Sequence, residues 1–233
     1  MPDQTPCFGR AGLPVLVLLL TLAGCRSTGD LHRHDLTGRT VAAVAAVPPA
    51  TLQSLGDAVI VDRDRPAGTL VRVGAALAKE RALRRAEARL DSALRHVDVA
   101  DRLARETLLR GARHLRYRPT SALETADFVL DLHISRYGLQ ARSWDVAVDF
   151  ILEGEIRLLE TRTRRTIWHK EIHQHEPVSA SILGFDPVAG DVFTAAVLAG
   201  LSVEEMTRAL ERLTDHAAYR LAEALRRDYY DRR

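Results

Sequence analysis

Three histidines and a glutamate on alternate residues are the first candidates for chemistry in this chain. Trp168-His169-Lys170-Glu171-Ile172-His173-Gln174-His175 packs imidazole, ammonium and carboxylate groups into one short run. Neutral imidazoles are common zinc ligands. The order His-Lys-Glu-Ile-His departs from the zinc-protease helix, in which glutamate directly follows the first histidine. A strand suits the segment better, because it leaves the turn Thr161-Arg162-Thr163-Arg164 and opens with Thr166, Ile167 and Trp168. On a strand His169, Glu171, His173 and His175 share one face, with His173 and His175 about 7 Å apart. That face would hold zinc if a neighbouring strand supplied a ligand, making the chain a metal-dependent hydrolase or a metal-binding protein. The plainer reading is the polar outer face of a sheet whose other side holds Trp168 and Ile172, and it is preferred.

Other constellations are weaker. Asp62-Arg63-Asp64 and Asp127/Asp131 are carboxylate pairs. Two carboxylates divide acid and base roles only when their environments separate their pKa values, and both pairs read as exposed. His32, His34 and Asp35 sit in a polar stretch that reads as linker. The chain has no Gly-x-Ser-x-Gly elbow, no phosphate-binding Gly-x-x-x-x-Gly-Lys and no Gly-x-Gly-x-x-Gly. Catalysis is not expected, and neither is a cofactor. A formal charge of +2 carries no nucleic-acid signal. Lysine occurs only at Lys79 and Lys170, so arginine carries most of the positive charge.

The elements that would position these groups follow from periodicity. Thr40 to Val47 is apolar on both alternating sets and ends at Pro48-Pro49, as in a strand covered on both faces. Ala58 to Val61 suggests another short strand. From Leu70 to Leu115 there is no proline. Apolar spacings of three and four predict one long helix or two, broken near His96-Val97-Asp98, with Asp98 as N-cap. Acid–arginine pairs four apart, such as Asp91 with Arg95 and Asp101 with Arg105, suit a solvated helix face. A mildly basic face toward anionic lipid or glycan is the alternative.

Asp127 to Tyr137 and Val146 to Leu158 alternate as half-buried antiparallel strands, and Arg165 to His175 returns as a third. Gly154, on the inward set, implies a bulge or close contact. A short helix from Val192 to Ala199 precedes the capping box Ser202-Val203-Glu204-Glu205. Met206, Leu210, Leu213, Ala217, Leu221 and Leu225 form the stripe of a final helix. The expected class is α+β or α/β: a small, mainly antiparallel sheet packed by a long N-terminal helical region and a C-terminal helix.

The start of the chain carries a sharper signal. Leu13 to Leu22 is an apolar run after Arg10, too short to span a membrane, and small residues follow it. Leu22-Ala23-Gly24-Cys25 resembles the lipobox of bacterial lipoproteins. The resemblance implies cleavage between Gly24 and Cys25, a lipid on the Cys25 sulfur and acylation of the new amino terminus. Residues 1–24 would be signal peptide, 25–39 the acylated cysteine and a polar tether, and 40–230 one domain. Cys7 would be discarded, leaving Cys25 as the single cysteine of the mature chain, without disulfide or thiol catalysis. Arg26, in place of an aspartate, favours the outer membrane, facing the periplasm, by the enterobacterial sorting rule.

Ala126-Asp127-Phe128-Val129-Leu130-Asp131-Leu132, with Leu158-Leu159-Glu160-Thr161-Arg162-Thr163 and Ile167-Trp168, is similar to small envelope lipoproteins and domains. These are the curli-secretion lipoprotein type, the TolB amino-terminal domain and transport-auxiliary lipoproteins. The likeness covers residues 120 to 172 and implies a non-catalytic accessory or scaffold of a transport, secretion or envelope-assembly system. Its partners would be the membrane, through the lipid, and envelope proteins, with no nucleic acid. Val129, Ile151 and Leu159, on the otherwise polar sheet face, are the candidates for partner binding.

Overall fold

The computed structural model describes residues 28–29, 31–48, 51–54, 80–82, 84–141, 147–184 and 194–230. The expected signal peptide, Cys25, the strand at Ala58 to Val61 and the loop Asp62-Arg63-Asp64 lie outside these residues. In chain order the elements are β1 (Thr28–Gly29), a single 3-10 turn (Leu31–Arg33), β2 (Thr40–Ala46) and β3 (Thr51–Ser54). Helix α1, described at 80–82 and 84–94, is followed by α2 (Val99–Leu115) and β4 (Arg118–Pro119). Then come β5 (Phe128–Ala141), β6 (Val148–Glu160), β7 (Arg165–Pro177), α3 (Ala195–Gly200) and α4 (Val203–Tyr230).

The α+β class holds. The strands run β1-β7-β6-β5-β2-β4, with β3 also on β5. β5, β6 and β7 are antiparallel neighbours, as their alternation predicts. β2 and β3 join β5 in parallel, and β4 joins β2 in parallel, so the sheet is mixed, with its long β5–β6–β7 pairings antiparallel as expected. Parallel strands need a long crossover. The chain between β2 and β5 supplies it and carries α2 over the sheet.

One face of the sheet is the core. Phe128, Leu130, Leu132 and Ile134 of β5 meet Phe150, Leu152, Ile156 and Leu158 of β6, with Trp168 and Ile172 of β7. A bulge between Ile134 and Arg136 inserts a residue, so Ile134 and Tyr137 both point inward. Gly154 lies opposite that bulge. A Cβ there would collide with the His133 carbonyl oxygen and sit 2.8 Å from the Ile134 Cα, so only glycine lets the strands approach.

α4 buries its expected stripe against this face. Its start is capped reciprocally: the Ser202 N–H donates to Glu205 at 2.8 Å, and the Glu205 N–H donates to the Ser202 hydroxyl at 3.2 Å. The Ser202 N–H donating to the Glu205 carboxylate holds that carboxylate below its ordinary pKa. α2 crosses α4 where Gly111 lies beneath Tyr117 and Leu225. The Tyr117 hydroxyl donates to the Leu108 carbonyl at 2.7 Å, and burial pushes that phenol's pKa up.

Two expectations need correction. A long N-terminal helical region is not borne out: helix is described only from 80, stops at 94 and restarts at Val99. The break falls at 95–98, where Asp98 accepts the Asp101 N–H at 2.9 Å. Residues 28–39 are not a free polar tether either. β1 pairs with β7, and Leu31 and Leu36 are fully buried in the core. Two leucines spaced through a polar stretch are enough to dock it, since each buried leucine contributes about 1.5–3 kcal/mol.

Candidate functional site

The histidine strand is β7, and its two faces do different things. Trp168, Lys170, Ile172, Gln174 and Glu176 alternate toward α4, while His169, Glu171, His173 and His175 point to the opposite face of the sheet. The expected division of the strand is therefore realised. Each histidine of that outer face has its own carboxylate. The His169 Nε2 lies 3.0 Å from Glu155, the His173 Nε2 3.7 Å from Glu171, and the His175 Nε2 3.2 Å from Asp149. Glu155 is shared with Arg157, and Glu153 binds Arg136 at 2.9 Å. The strand thus distributes its imidazoles over separate partners. Among the described residues no three His, Cys, Asp or Glu side chains form a cluster able to hold a metal ion.

Of the three apolar candidates on that face, two are brought together and one is not. Val129 and Leu159 are register partners across β5 and β6, both half-buried. Ile151 is buried and pairs with Gly138 and His175. It lies eight residues from Leu159 along β6, about 26 Å away. The large apolar side chains exposed among the described residues are others: Leu109, Leu123, Val197, Tyr219 and Tyr230. Among the described residues, the outer edge of β7 is paired only at Trp168 and His169. Gly24 and Cys25, the expected cleavage and lipidation residues, lie outside the described residues.

The inward face of β7 holds polar contacts that periodicity did not single out. Asp228 of α4 accepts the Trp168 indole N–H at 3.0 Å and the Lys170 ammonium at 2.6 Å. His216 meets Glu176 at 2.6 Å, and Arg220 donates to Gln174 at 3.0 Å. On the far side of α4, Arg102 grips Asp215 with two hydrogen bonds of 2.9 and 3.0 Å, which hold its guanidinium pKa up. A sequence signal for Asp228 existed: it takes the next helical position after Leu221 and Leu225, where an apolar residue would continue the stripe. The β7 groups clamp α4 to the sheet edge, and Arg102 with Asp215 clamps it to α2.

At the opposite end of the sheet, Val47, Pro48, Leu94, His96, Val97 and Asp98 line an open cleft of about 650 Å³. Among the described residues that line it, the carboxylate is Asp98, which is engaged in capping α2.

No family model and no curated protein matches the chain. Two solved structures resemble it distantly. One is a PelC dodecamer from Paraburkholderia phytofirmans, 12% identical, with a TM-score of 0.34. The other is a single-substitution variant of the same dodecamer, 11% identical, with a TM-score of 0.35. Each comparison covers 82% of this chain and 96% of that one. Likenesses at this level carry no argument about function.

Proposed function

We propose that this chain is a lipid-anchored protein of the bacterial envelope, held in the outer membrane facing the periplasm. It acts as a non-catalytic accessory or scaffold of a transport, secretion or envelope-assembly system. The observation that carries the reading is Leu22-Ala23-Gly24-Cys25 at the end of a short apolar run. Two or more acyl chains at Cys25 make release negligible, since each buried methylene adds about 0.8 kcal/mol. The polar groups of the domain support the non-catalytic part of the reading. Around β7 and α4 they pair as clamps, and His169, His173, His175 and His216 each meet a separate carboxylate.

Metabolic labelling with an acyl precursor tests the anchor. The wild-type chain should take up label and fractionate with outer membranes, and Cys25→Ser should do neither. Label retained by Cys25→Ser overturns the lipid reading. Affinity capture from solubilised envelopes tests the scaffold reading. A reproducible envelope partner absent from a mock capture supports it. Turnover of an envelope substrate by the purified protein, lost on substituting His169 or His173, overturns it.

A further inference from the structure

We propose that the arginine-rich end of the sandwich rests on the anionic phospholipid headgroups of the membrane that holds Cys25. Two independent observations lead there, of which the first rests on the lipid-anchor reading. Cys25 precedes Thr28 by three residues. A chain advances at most about 3.5 Å per residue, so the Cys25 Cα lies within about 10 Å of the Thr28 Cα. Thr28 is fixed, because β1 pairs with His169 and Trp168 on β7 and the chain from Leu31 to Leu36 is anchored in the core. The domain therefore has almost no leash, and the part of it near the start of β7 must lie close to the bilayer.

The second observation is charge. The start of β7, the end of β6, the starts of β2 and β5, and β4 lie at one end of the sheet by their registers. The C-terminus of α2 is tied to the same end, where the Gly38 N–H donates to the Arg116 carbonyl at 3.0 Å and the Arg118 guanidinium donates to Gly38 at 2.9 Å. Arg39, Arg116, Arg118, Arg162, Arg164 and Arg165 are all exposed there. Among the described residues the acids at this end are exposed Asp35 and Glu124 and half-buried Asp127 and Glu160, fewer than the six arginines, with Asp127 3.8 Å from Arg39. At the other end, where α2 and α4 begin, exposed Asp98, Asp101 and Glu204 stand among Arg95, Arg105, Arg208 and Arg212, and Asp101 pairs with Arg105 at 3.2 Å, so the charge there is nearly balanced. Guanidinium groups bind phosphate with paired donors, and each basic side chain near an anionic surface strengthens attachment about fivefold. The short leash and the basic end thus select the same orientation, which leaves the β2–α2 cleft and the start of α4 facing away from the membrane.

The test uses the full acylated protein in vesicles of phosphatidylcholine with phosphatidylglycerol, some carrying a headgroup quencher. A genetically encoded fluorescent residue replaces Thr125 at the arginine end or Ser181 at the other. Thr125 should be quenched several-fold more strongly than Ser181. The triple variant Arg118→Glu, Arg164→Glu, Arg165→Glu should lose most of that difference, with its circular dichroism unchanged. Equal quenching at the two positions, stronger quenching at Ser181, or a triple variant that keeps the full difference overturns the orientation. Mass spectrometry of the same sample reports acylation separately. A missing acyl group refutes the anchor, while the quenching pattern still reports which end meets lipid; failure to associate with vesicles at all overturns the proposal.

Discussion

The Trp168 indole N–H donates to Asp228 at 3.0 Å, joining the start of β7 to the last turn of α4 across 60 residues. The same carboxylate takes the Lys170 ammonium at 2.6 Å, and both charged side chains are less than one-fifth exposed. Removing one member of such a pair leaves the other desolvated without a partner. Asp228→Ala should destabilise the protein by about 2–4 kcal/mol in urea unfolding. Asp228→Leu combined with Lys170→Met should recover at least half of that loss. A double variant as unstable as the sum of the single ones would show that the contact is not a coupled pair.

Gly154→Ala tests the close approach of β5 and β6. Its Cβ would meet backbone atoms of His133 and Ile134, which cannot swing aside as a side-chain tip can. Overpacking of this kind costs about 1–3 kcal/mol. A fall in Tm is expected, and an unchanged Tm would mean the bulge relaxes freely.

Asp127 ties the first residues of β2 and β5 together. It accepts the Thr40 N–H at 2.7 Å and the Thr40 hydroxyl at 2.8 Å. The backbone bond, followed by the hydroxyl bond, lowers its pKa below 3.8. A carboxylate whose folded pKa is depressed contributes fully above the unfolded value and loses that contribution as pH falls through the folded one. The stability gap between wild type and Asp127→Asn should therefore be constant from neutrality down to about pH 5 and close progressively below about pH 4. Thr40→Val should shrink the gap. A gap that widens on acidification would reverse the sign and contradict the pairing.

The separate pairing of the β7 histidines predicts how the protein handles zinc. After incubation with zinc and desalting, elemental analysis should find well below one equivalent, unchanged by His173→Ala. One equivalent lost on that substitution would return the metal-binding reading to first place.

The alternation of β5, β6 and β7, the Asp98 cap, the Ser202–Glu205 capping box and the α4 stripe were all legible in the sequence. Each rests on hydrogen bonds or periodicity within a few residues, and such local preferences need no knowledge of the rest of the chain. The docking of residues 28–39 was not legible, because Leu31 and Leu36 acquire a core only when β7 and α4 enclose them. The parallel entry of β2 was hidden for the same reason: apolar runs record burial but not direction.

For function, the sequence by itself supplied the resemblance of Leu22-Ala23-Gly24-Cys25 to a lipobox, and the alternation that puts three histidines on one face of a strand. Only the tertiary structure decided which carboxylate each of those histidines meets, that Lys170, Gln174 and Glu176 serve to clamp α4, and that arginines from three separate segments share one end of the sheet. Strand order and register set those meetings. Apart from His173 with Glu171, they are contacts between residues fourteen or more positions apart, which no local pattern encodes.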